Sequence, residues 1–329
     1  MAKDVLVYVE CRDNAARKVS FELLSKGKDL ADTLSSKVYA VVMGHQVAAI
    51  ADSLRTFADT VLHVDDEKLK DYRWDTYTSA FEDLLHKYKP YLVIGGSTIL
   101  GKDLFPRLAA RSKSPLISDA IGIELSGNSL RVKKPIFGGR IHSWLEWKND
   151  SAIYVTFRPN SFSVQEGNKS GEIIEEHPAI AEDSRLVLLN TEKKPSAQVD
   201  LQEADFIVCG GRGMKGPEHF GALEELAGIL DGRVGASRGA VDNKWRDYDD
   251  QIGKSGKTVS PKLYVGCGIS GALHHIMGMD TSKVIVAINK DANAPIFQYA
   301  DYGIAGDLFE VVPILTEELK RAKEKTSNG

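Results

Sequence analysis

Two glycine-rich motifs of the same form stand in the last third of the chain, and they constrain its fold more than any other feature. The first is Gly211-Arg212-Gly213-Met214-Lys215-Gly216, and the second is Gly266-Cys267-Gly268-Ile269-Ser270-Gly271. Each reads Gly-x-Gly-x-x-Gly, follows an apolar run and precedes a helical pattern. Glycine at these positions permits a tight turn and a close backbone approach to a ligand, and the amides at a helix start face an anion. The pair predicts a domain that wraps a phosphate-bearing cofactor; tight turns without a ligand are the alternative.

The composition is that of a soluble globular protein. With 329 residues the chain is long enough for about two domains, and a net charge of −4 leaves no basic surface for nucleic acid. No apolar run approaches the roughly 20 residues of a membrane helix, so we expect no membrane insertion. No signal peptide precedes the first predicted strand, and the three cysteines form no Cys-x-x-Cys pair. We therefore expect a cytoplasmic protein without a disulfide framework or a metal site.

Strand and helix patterns alternate along the chain, which favours parallel sheets flanked by helices. In the first half the predicted strands are 5–10, 37–43, 61–65 and 91–96, and the predicted helices are 19–34, 76–87 and 102–111. The region 130–158 consists of strand-like runs separated by turns, and we interpret it as an antiparallel extension of the same domain. In the second half the predicted strands are 206–210, 263–268, 283–289 and 302–306, and the predicted helices are 217–230, 270–279 and 307–325.

A polar, proline-containing segment at 191–198 separates these halves and predicts a linker. The fold class we predict is α/β with two domains, each a mainly parallel sheet flanked by helices. Their bounds are 1–190 for the N-terminal domain, 191–203 for the linker and 204–329 for a Rossmann-like cofactor domain.

The glycine motifs do not complete a simple NAD site. Such a site has an acidic residue about 20 positions after the motif, where it holds the ribose. Here that region carries Arg238 instead, which indicates NADP or a different cofactor geometry. The segment Gly253-Lys254-Ser255-Gly256-Lys257-Thr258 resembles a P-loop, but Gln251 stands where the first glycine belongs. We interpret it as a polar loop that covers a cofactor.

Several short segments, taken in order, closely resemble the α subunit of electron transfer flavoproteins. The similarity is nearly gapless from about 206 to 320 and looser in the first half. The segments that carry it are 210–213, 234–238, 256–259, 268–272, 287–291, 294–297 and 300–303, with 101–111 and Arg158-Pro159 in the first half.

This resemblance implies that the second domain binds FAD and assigns roles along the cofactor. Arg212 and Gly213, with the helix start at Ser270, Gly271 and Ala272, would hold the ribityl-diphosphate part. Ser237 and Arg238 would face the flavin ring. Asn289, Asp307 and Leu308 would hold the adenosine end. The remaining residues implied to contact the cofactor are Ile252, Gly253, Lys254, Ser255, Leu273, His274 and His275, with the Ser255 hydroxyl toward flavin N5 and His275 near O2.

Arg238 is the residue we expect to set the flavin potential. A cation about 4 Å from the ring contributes about 4 kcal/mol at an effective dielectric near 20. Three positions depart from the usual family pattern, in which 254 and 274 are glutamine and 255 is threonine. They are Lys254, His274 and Ser255, and we expect the added charge of Lys254 to raise the potential.

The resemblance further implies an electron carrier that forms a heterodimer with an electron transfer flavoprotein β subunit. The implied donor is an acyl-CoA dehydrogenase or similar enzyme, as in fatty acid β-oxidation, and the implied acceptor is a quinone oxidoreductase or a ferredoxin-type protein. The segment 12–24 is similar to versions from electron-bifurcating complexes. An NAD(P)-binding oxidoreductase that uses the two glycine loops is the alternative.

Overall fold

The computed structural model describes residues 3–127, 129–147, 151–183, 185–191 and 200–327. The chain divides into two compact units, Met1–Lys194 and Pro195–Gly329. The predicted linker at 191–203 lies mostly at 192–199, outside the described residues. No helix of the described ranges is long and apolar enough to cross a membrane.

The first unit is built on a seven-stranded parallel sheet with the order β12-β5-β4-β1-β6-β11-β7. A three-stranded antiparallel sheet, β10-β9-β8, and a two-stranded one, β2-β3, complete it. The strands are β1 Val5–Val9, β2 Cys11–Arg12, β3 Ala15–Ala16, β4 Val38–Gly44, β5 Thr60–Asp65, β6 Leu92–Gly96, β7 Leu116–Ala120, β8 Gly122–Ser126, β9 Ser129–Ile136, β10 Ile141–Glu146, β11 Ile153–Phe157 and β12 Glu172–Glu175. The helices are α1 Lys18–Leu34, α2 Ala48–Leu54, α3 Trp74–Tyr88 and α4 Ile99–Arg111.

Helices cover both faces of this sheet because its central strands are apolar on both sides. In β1, Val7 packs into one cluster with residues of α1, whereas Leu6 and Tyr8 pack into another with residues of α3 and α4. Successive side chains of a strand point to opposite faces, so a run such as Val5–Val9 supplies both clusters. This pattern is typical of a buried parallel strand.

The interpretation of 130–158 as an antiparallel extension is correct for β9 and β10 and wrong for β11. Strand β11 lies inside the main sheet, parallel to β6 and β7. All five residues of Ile153–Phe157 are buried, and a run without an exposed face fits a central parallel strand better than an antiparallel edge.

The second unit contains a six-stranded parallel sheet with the order β15-β14-β13-β16-β17-β18. The chain starts at β13, adds β14 and β15 on one side, and then returns to add β16 to β18 on the other, which is the Rossmann strand order. The strands are β13 Phe206–Gly210, β14 Arg233–Ser237, β15 Gln251–Ile252, β16 Leu263–Cys267, β17 Val284–Asn289 and β18 Tyr302–Ala305. The helices are α5 Phe220–Ile229, α6 Arg238–Asp242, α7 Leu273–Ile276 and α8 Leu308–Ser327.

The helix predicted at 270–279 is much shorter than expected, since α7 spans only Leu273–Ile276. Before it, Gly271 has a φ of +86°, which is incompatible with a right-handed helix. After it, the amides of Gly278 and Met279 bond the carbonyls three residues earlier, so the helix tightens into a turn. The predicted α/β class with two mainly parallel sheets is confirmed.

Candidate functional site

A cleft of about 630 Å3 lies at the carboxyl edge of the second sheet. Its walls come from the segments that follow β13, β14, β15, β16 and β17. Strand order reverses between β13 and β16, and in open parallel sheets ligands bind at such a reversal, beyond the carboxyl ends of the strands. The cleft is therefore the candidate binding site of this unit.

The two glycine motifs contact each other in the wall of this cleft, through Gly213 and Gly268. The amide of Gly213 donates to the Gly268 carbonyl at 3.0 Å, and the amide of Gly211 donates to the Cys267 carbonyl at 2.9 Å. A Cβ on Gly211 would lie 2.3 Å from the Gly268 oxygen. The glycines of the first motif thus allow two loops to touch, and its amides at 211 and 213 bond protein rather than a ligand.

The start of α7 presents a row of amides that have no hydrogen-bond partner among the described residues. Within the described residues, no acceptor bonds the backbone N–H groups of Gly271, Ala272, Leu273 or His274. Arg212, which comes just after β13, also lines this cleft. Its side chain is exposed and makes no ion pair with any described residue. Several unpaired amides and a guanidinium that line one cleft form a site suited to a diphosphate.

Arg238 lines the cleft at the start of α6, directly after β14. Its Nε lies 3.2 Å from an Asp242 carboxylate oxygen, and 68% of its side chain is exposed. Solvent screening weakens charge interactions at such a position. The guanidinium is therefore an exposed, partly neutralised cation rather than a buried charge.

The loop after β15 presents Ser255 to the cleft and is held rigidly by hydrogen bonds. The amide of Lys254 donates to the His274 carbonyl at 2.7 Å, and that of Lys257 donates to the Gln251 carbonyl at 2.7 Å. The Tyr248 hydroxyl donates to the Ser255 carbonyl. This network fixes the loop backbone against α7.

His275 lies in the cleft wall but is almost entirely enclosed by protein, being 7% exposed. Its Nε2 is 2.7 Å from the hydroxyl of Tyr264, a fully buried residue of β16. Burial lowers the pKa of His275 to about 4, and the nearby Ile252 backbone only partly opposes this. Near neutral pH the ring is therefore uncharged, and His275 places no positive charge in the cleft wall.

Most residues predicted to bind the cofactor do line this cleft. They are Arg212, Gly213, Ser237, Arg238, Ile252, Gly253, Ser255, Ser270, Ala272, His274, His275 and Asn289. In the described part of the chain, five predicted residues lie outside its walls, namely Lys254, Gly271, Leu273, Asp307 and Leu308.

These five residues support the cleft from behind or lie on the surface. Gly271 shapes the turn before α7, where a Cβ would lie 2.3 Å from the Ile296 nitrogen. Asp307 caps α8 by accepting from the Phe309 amide at 2.9 Å. Leu308 is buried beside Gly268, whereas Lys254 and Leu273 are exposed.

Other lining residues were not individually assigned to the cofactor, although Gly268 and Ile269 belong to the second glycine motif. They are Gly239, Asp242, Asn243, Gly268, Ile269, Asp291, Ala294 and Pro295. A sequence signal existed for Asp242, because it stands four residues after Arg238 and so shares its helix face. Asp291 follows the end of β17 closely, where parallel strands commonly present ligand-binding side chains.

Comparison with known families matches both units. Residues 5–181 match the electron transfer flavoprotein domain, and residues 200–280 match the electron transfer flavoprotein FAD-binding domain. The cleft fits FAD, since the unpaired amides of Gly271–His274 and the unpaired Arg212 suit its diphosphate.

Similar proteins extend over nearly the whole chain. An electron transfer flavoprotein subunit alpha of Bacillus subtilis is 46% identical over 98% of this chain and 98% of its own length. One of Thermoanaerobacterium thermosaccharolyticum is 41% identical over 98% of this chain and 99% of its own length. A protein of Anaerotignum propionicum named acryloyl-CoA reductase electron transfer subunit beta is 35% identical over 98% of this chain and 96% of its own length. The chain belongs to the family of electron transfer flavoprotein α subunits, and its second unit is an FAD-binding domain.

Proposed function

We propose that the chain is the FAD-holding subunit of a heterodimeric electron carrier, with an electron transfer flavoprotein β subunit as its partner. The observation that carries the proposal is the cleft at the sheet reversal, which combines unpaired diphosphate donors with a separate wall of hydroxyl, imidazole and guanidinium groups. FAD is long enough to need both parts, and a diphosphate alone would need only the first.

Each group of residues has a distinct role in this proposal. Arg212 and the amides of 271–274 bind the diphosphate, and Asn289 lies toward the adenosine end. When bound, FAD supplies a centre that accepts and returns electrons. Ser237, Arg238 and Ser255 offer donors where negative charge develops on the ring, and His275 forms part of the same wall. None of them needs to break or form a covalent bond, so the chain tunes and shields the cofactor.

We propose an acyl-CoA dehydrogenase type of enzyme as donor, with a quinone oxidoreductase or a ferredoxin-type protein as acceptor. The name of the Anaerotignum propionicum relative, an electron transfer subunit of an acyl-CoA enzyme, supports a partner of that class. A bifurcating complex, in which the β subunit holds a further flavin, is a variant of the same proposal.

Cofactor content and reduction test this function together. The chain is purified with its β subunit, and the released cofactor is identified by chromatography and its amount measured per heterodimer. We expect FAD, reduced when an acyl-CoA dehydrogenase and its substrate are added and reoxidised by the acceptor. More than one FAD per heterodimer would indicate the bifurcating variant. A preparation that carries NADP and no flavin would contradict the proposal and favour an NAD(P)-dependent oxidoreductase.

Removal of the Arg238 charge is expected to lower the flavin midpoint potential modestly. A unit charge at about 4 Å contributes about 4 kcal/mol in a half-buried site but only about 1 kcal/mol in a water-like one. The 68% exposure of Arg238 and its ion pair with Asp242 favour the smaller value, or about 40 mV per electron. Redox titration of Arg238→Gln against the unmodified heterodimer measures the shift.

Lys254→Gln is the matched control, since it removes the same charge from a side chain outside the cleft walls. We expect a downward shift smaller than that of Arg238→Gln. If Lys254→Gln shifted the midpoint potential as much as Arg238→Gln does, the position of a charge in the cleft wall would not determine its effect on the potential.

A further inference from the structure

A buried glutamine lies behind the hydroxyl that faces the cleft. Gln251 is 3% exposed and is not part of the cleft wall. Its side-chain Nε2 donates to Ser255 Oγ at 3.0 Å. No role in cofactor binding follows from the sequence for Gln251, which stands in a two-residue strand before the loop.

This hydrogen bond determines what the serine hydroxyl can do. A hydroxyl has one hydrogen to donate and two lone pairs that accept. Because the Gln251 amide fills one accepting position, the hydrogen of Ser255 cannot point toward Gln251 and remains available to an acceptor in the cleft that Ser255 lines. The backbone amide of Ser255 also has no acceptor within the described residues, so Ser255 presents two donors from one residue.

The surrounding structure holds Gln251 in place for this role. Its strand pairs with β14 through Ala236, and its carbonyl accepts from the Lys257 amide at 2.7 Å. The Ser255 carbonyl is bound by the Tyr248 hydroxyl. With the backbone fixed at both residues, the remaining freedom is the rotation of the serine side chain and its hydroxyl, and Gln251 restricts that rotation.

We propose that Gln251 is a positioning residue that directs the Ser255 hydroxyl hydrogen into the cleft as a donor to the flavin ring. The proposal rests on the proposed function in one respect, the assignment of Ser255 to the flavin wall. The new element is a buried residue outside the cleft wall that sets the direction of the Ser255 hydroxyl hydrogen through one hydrogen bond.

The test measures the Kd for FAD. The full chain is prepared with its β subunit, the flavin is removed, and FAD is added back in a fluorescence titration. Ser255→Ala is expected to raise the Kd on the order of 3- to 10-fold, the loss of one hydrogen bond. Gln251→Met, of similar volume without a donor, should raise it about 2- to 5-fold. In the Ser255→Ala background, Gln251→Met should change the Kd by less than about 2-fold, because no hydroxyl remains to be directed.

Two further variants separate positioning from a structural role. Gln251→Glu supplies an acceptor that takes the Ser255 hydrogen, and we expect it to weaken FAD binding at least as much as Ser255→Ala. Ser255→Thr in the Gln251→Met background should recover most of the affinity, because a β-branched side chain has a restricted χ1. Thermal unfolding of each apoprotein shows whether the variant is folded. If Gln251→Met does not fold, Gln251→Glu provides the test, because glutamate has nearly the same shape as glutamine.

The outcomes separate this proposal from the proposed function. Equal effects of Gln251→Met with and without the Ser255 hydroxyl would overturn the positioning role, as would full affinity in Gln251→Glu. An unchanged Kd in Ser255→Ala would also overturn it while leaving FAD binding intact. Failure of the unmodified apoprotein to bind FAD would instead overturn the proposed function, and the positioning role with it.

Discussion

Gly268→Ala is expected to destabilise the second unit by at least about 3 kcal/mol and to abolish FAD binding. Gly268 has a φ of +63°, and a Cβ there would lie 2.7 Å from the Cα of Gly213 and 2.8 Å from a methyl of Leu308. The left-handed backbone alone costs an L-residue about 1–2 kcal/mol. The contact with the Gly213 backbone adds to this, since the two loops can relieve it only by separating and losing the bond between Gly213 N–H and Gly268 C=O.

Gly228→Ala is the control, with an effect of opposite sign. Gly228 lies within helix α5, and a Cβ on it would meet nothing within 4 Å. Alanine at such a position stabilises a helix by about 0.5–1 kcal/mol. Urea unfolding of the two full-length variants, followed by circular dichroism, compares them directly. Equal stability of the two variants would show that the contact between the loops does not hold the unit together.

The strands that flank the cleft were predictable because their sequences carry a local signal. The runs before the two motifs are apolar on both faces and end in glycine, and the predicted strands 206–210 and 263–268 are observed as Phe206–Gly210 and Leu263–Cys267. The alternation of strand and helix also predicted the parallel sheet. These features depend on residues that are close together in the chain, so they can be recognised from the sequence alone.

The partners of the glycines and of Ser255 could not be predicted in the same way. Whether Gly213 contacts a phosphate or Gly268 depends on how two loops more than fifty residues apart meet across the sheet. The sequence shows two similar motifs. Among the described residues, the amides of Gly211 and Gly213 bond protein, whereas the amide of Gly271 and those of the three residues after it have no acceptor. Likewise, the sequence marks Gln251 only as the residue that breaks a P-loop pattern. The hydrogen bond from its side-chain amide to Ser255 depends on how the loop turns in three dimensions.

The stability of the second unit is expected to fall by up to about 3 kcal/mol between pH 6.5 and 4 through His275 alone. Burial lowers the pKa of the folded imidazole to about 4 from its ordinary 6.5. Below pH 6.5 the unfolded chain therefore binds a proton that the folded chain does not, and the free energy of unfolding decreases as pH falls. Each pH unit in this window corresponds to about 1.4 kcal/mol, and below pH 4 the contribution stops changing.

His275→Gln removes this titration, and its amide can still reach the Tyr264 hydroxyl that now pairs with Nε2. Urea unfolding of the full chain at several pH values between 4 and 7.5 measures the effect as the difference between the unmodified protein and His275→Gln, in which the other titrating groups cancel. Tyr264→Phe is the control, because it removes the hydrogen bond but leaves the imidazole buried. We expect it to keep the dependence of the free energy of unfolding on pH.

Two outcomes would contradict this explanation. If His275→Gln keeps the pH dependence, another group causes the acid sensitivity. If Tyr264→Phe loses it, the hydrogen bond and not burial causes the low pKa. If burial is the cause, the same desolvation keeps His275 neutral in the cleft wall at neutral pH, and any cationic tuning of a bound cofactor is left to Arg212 and Arg238.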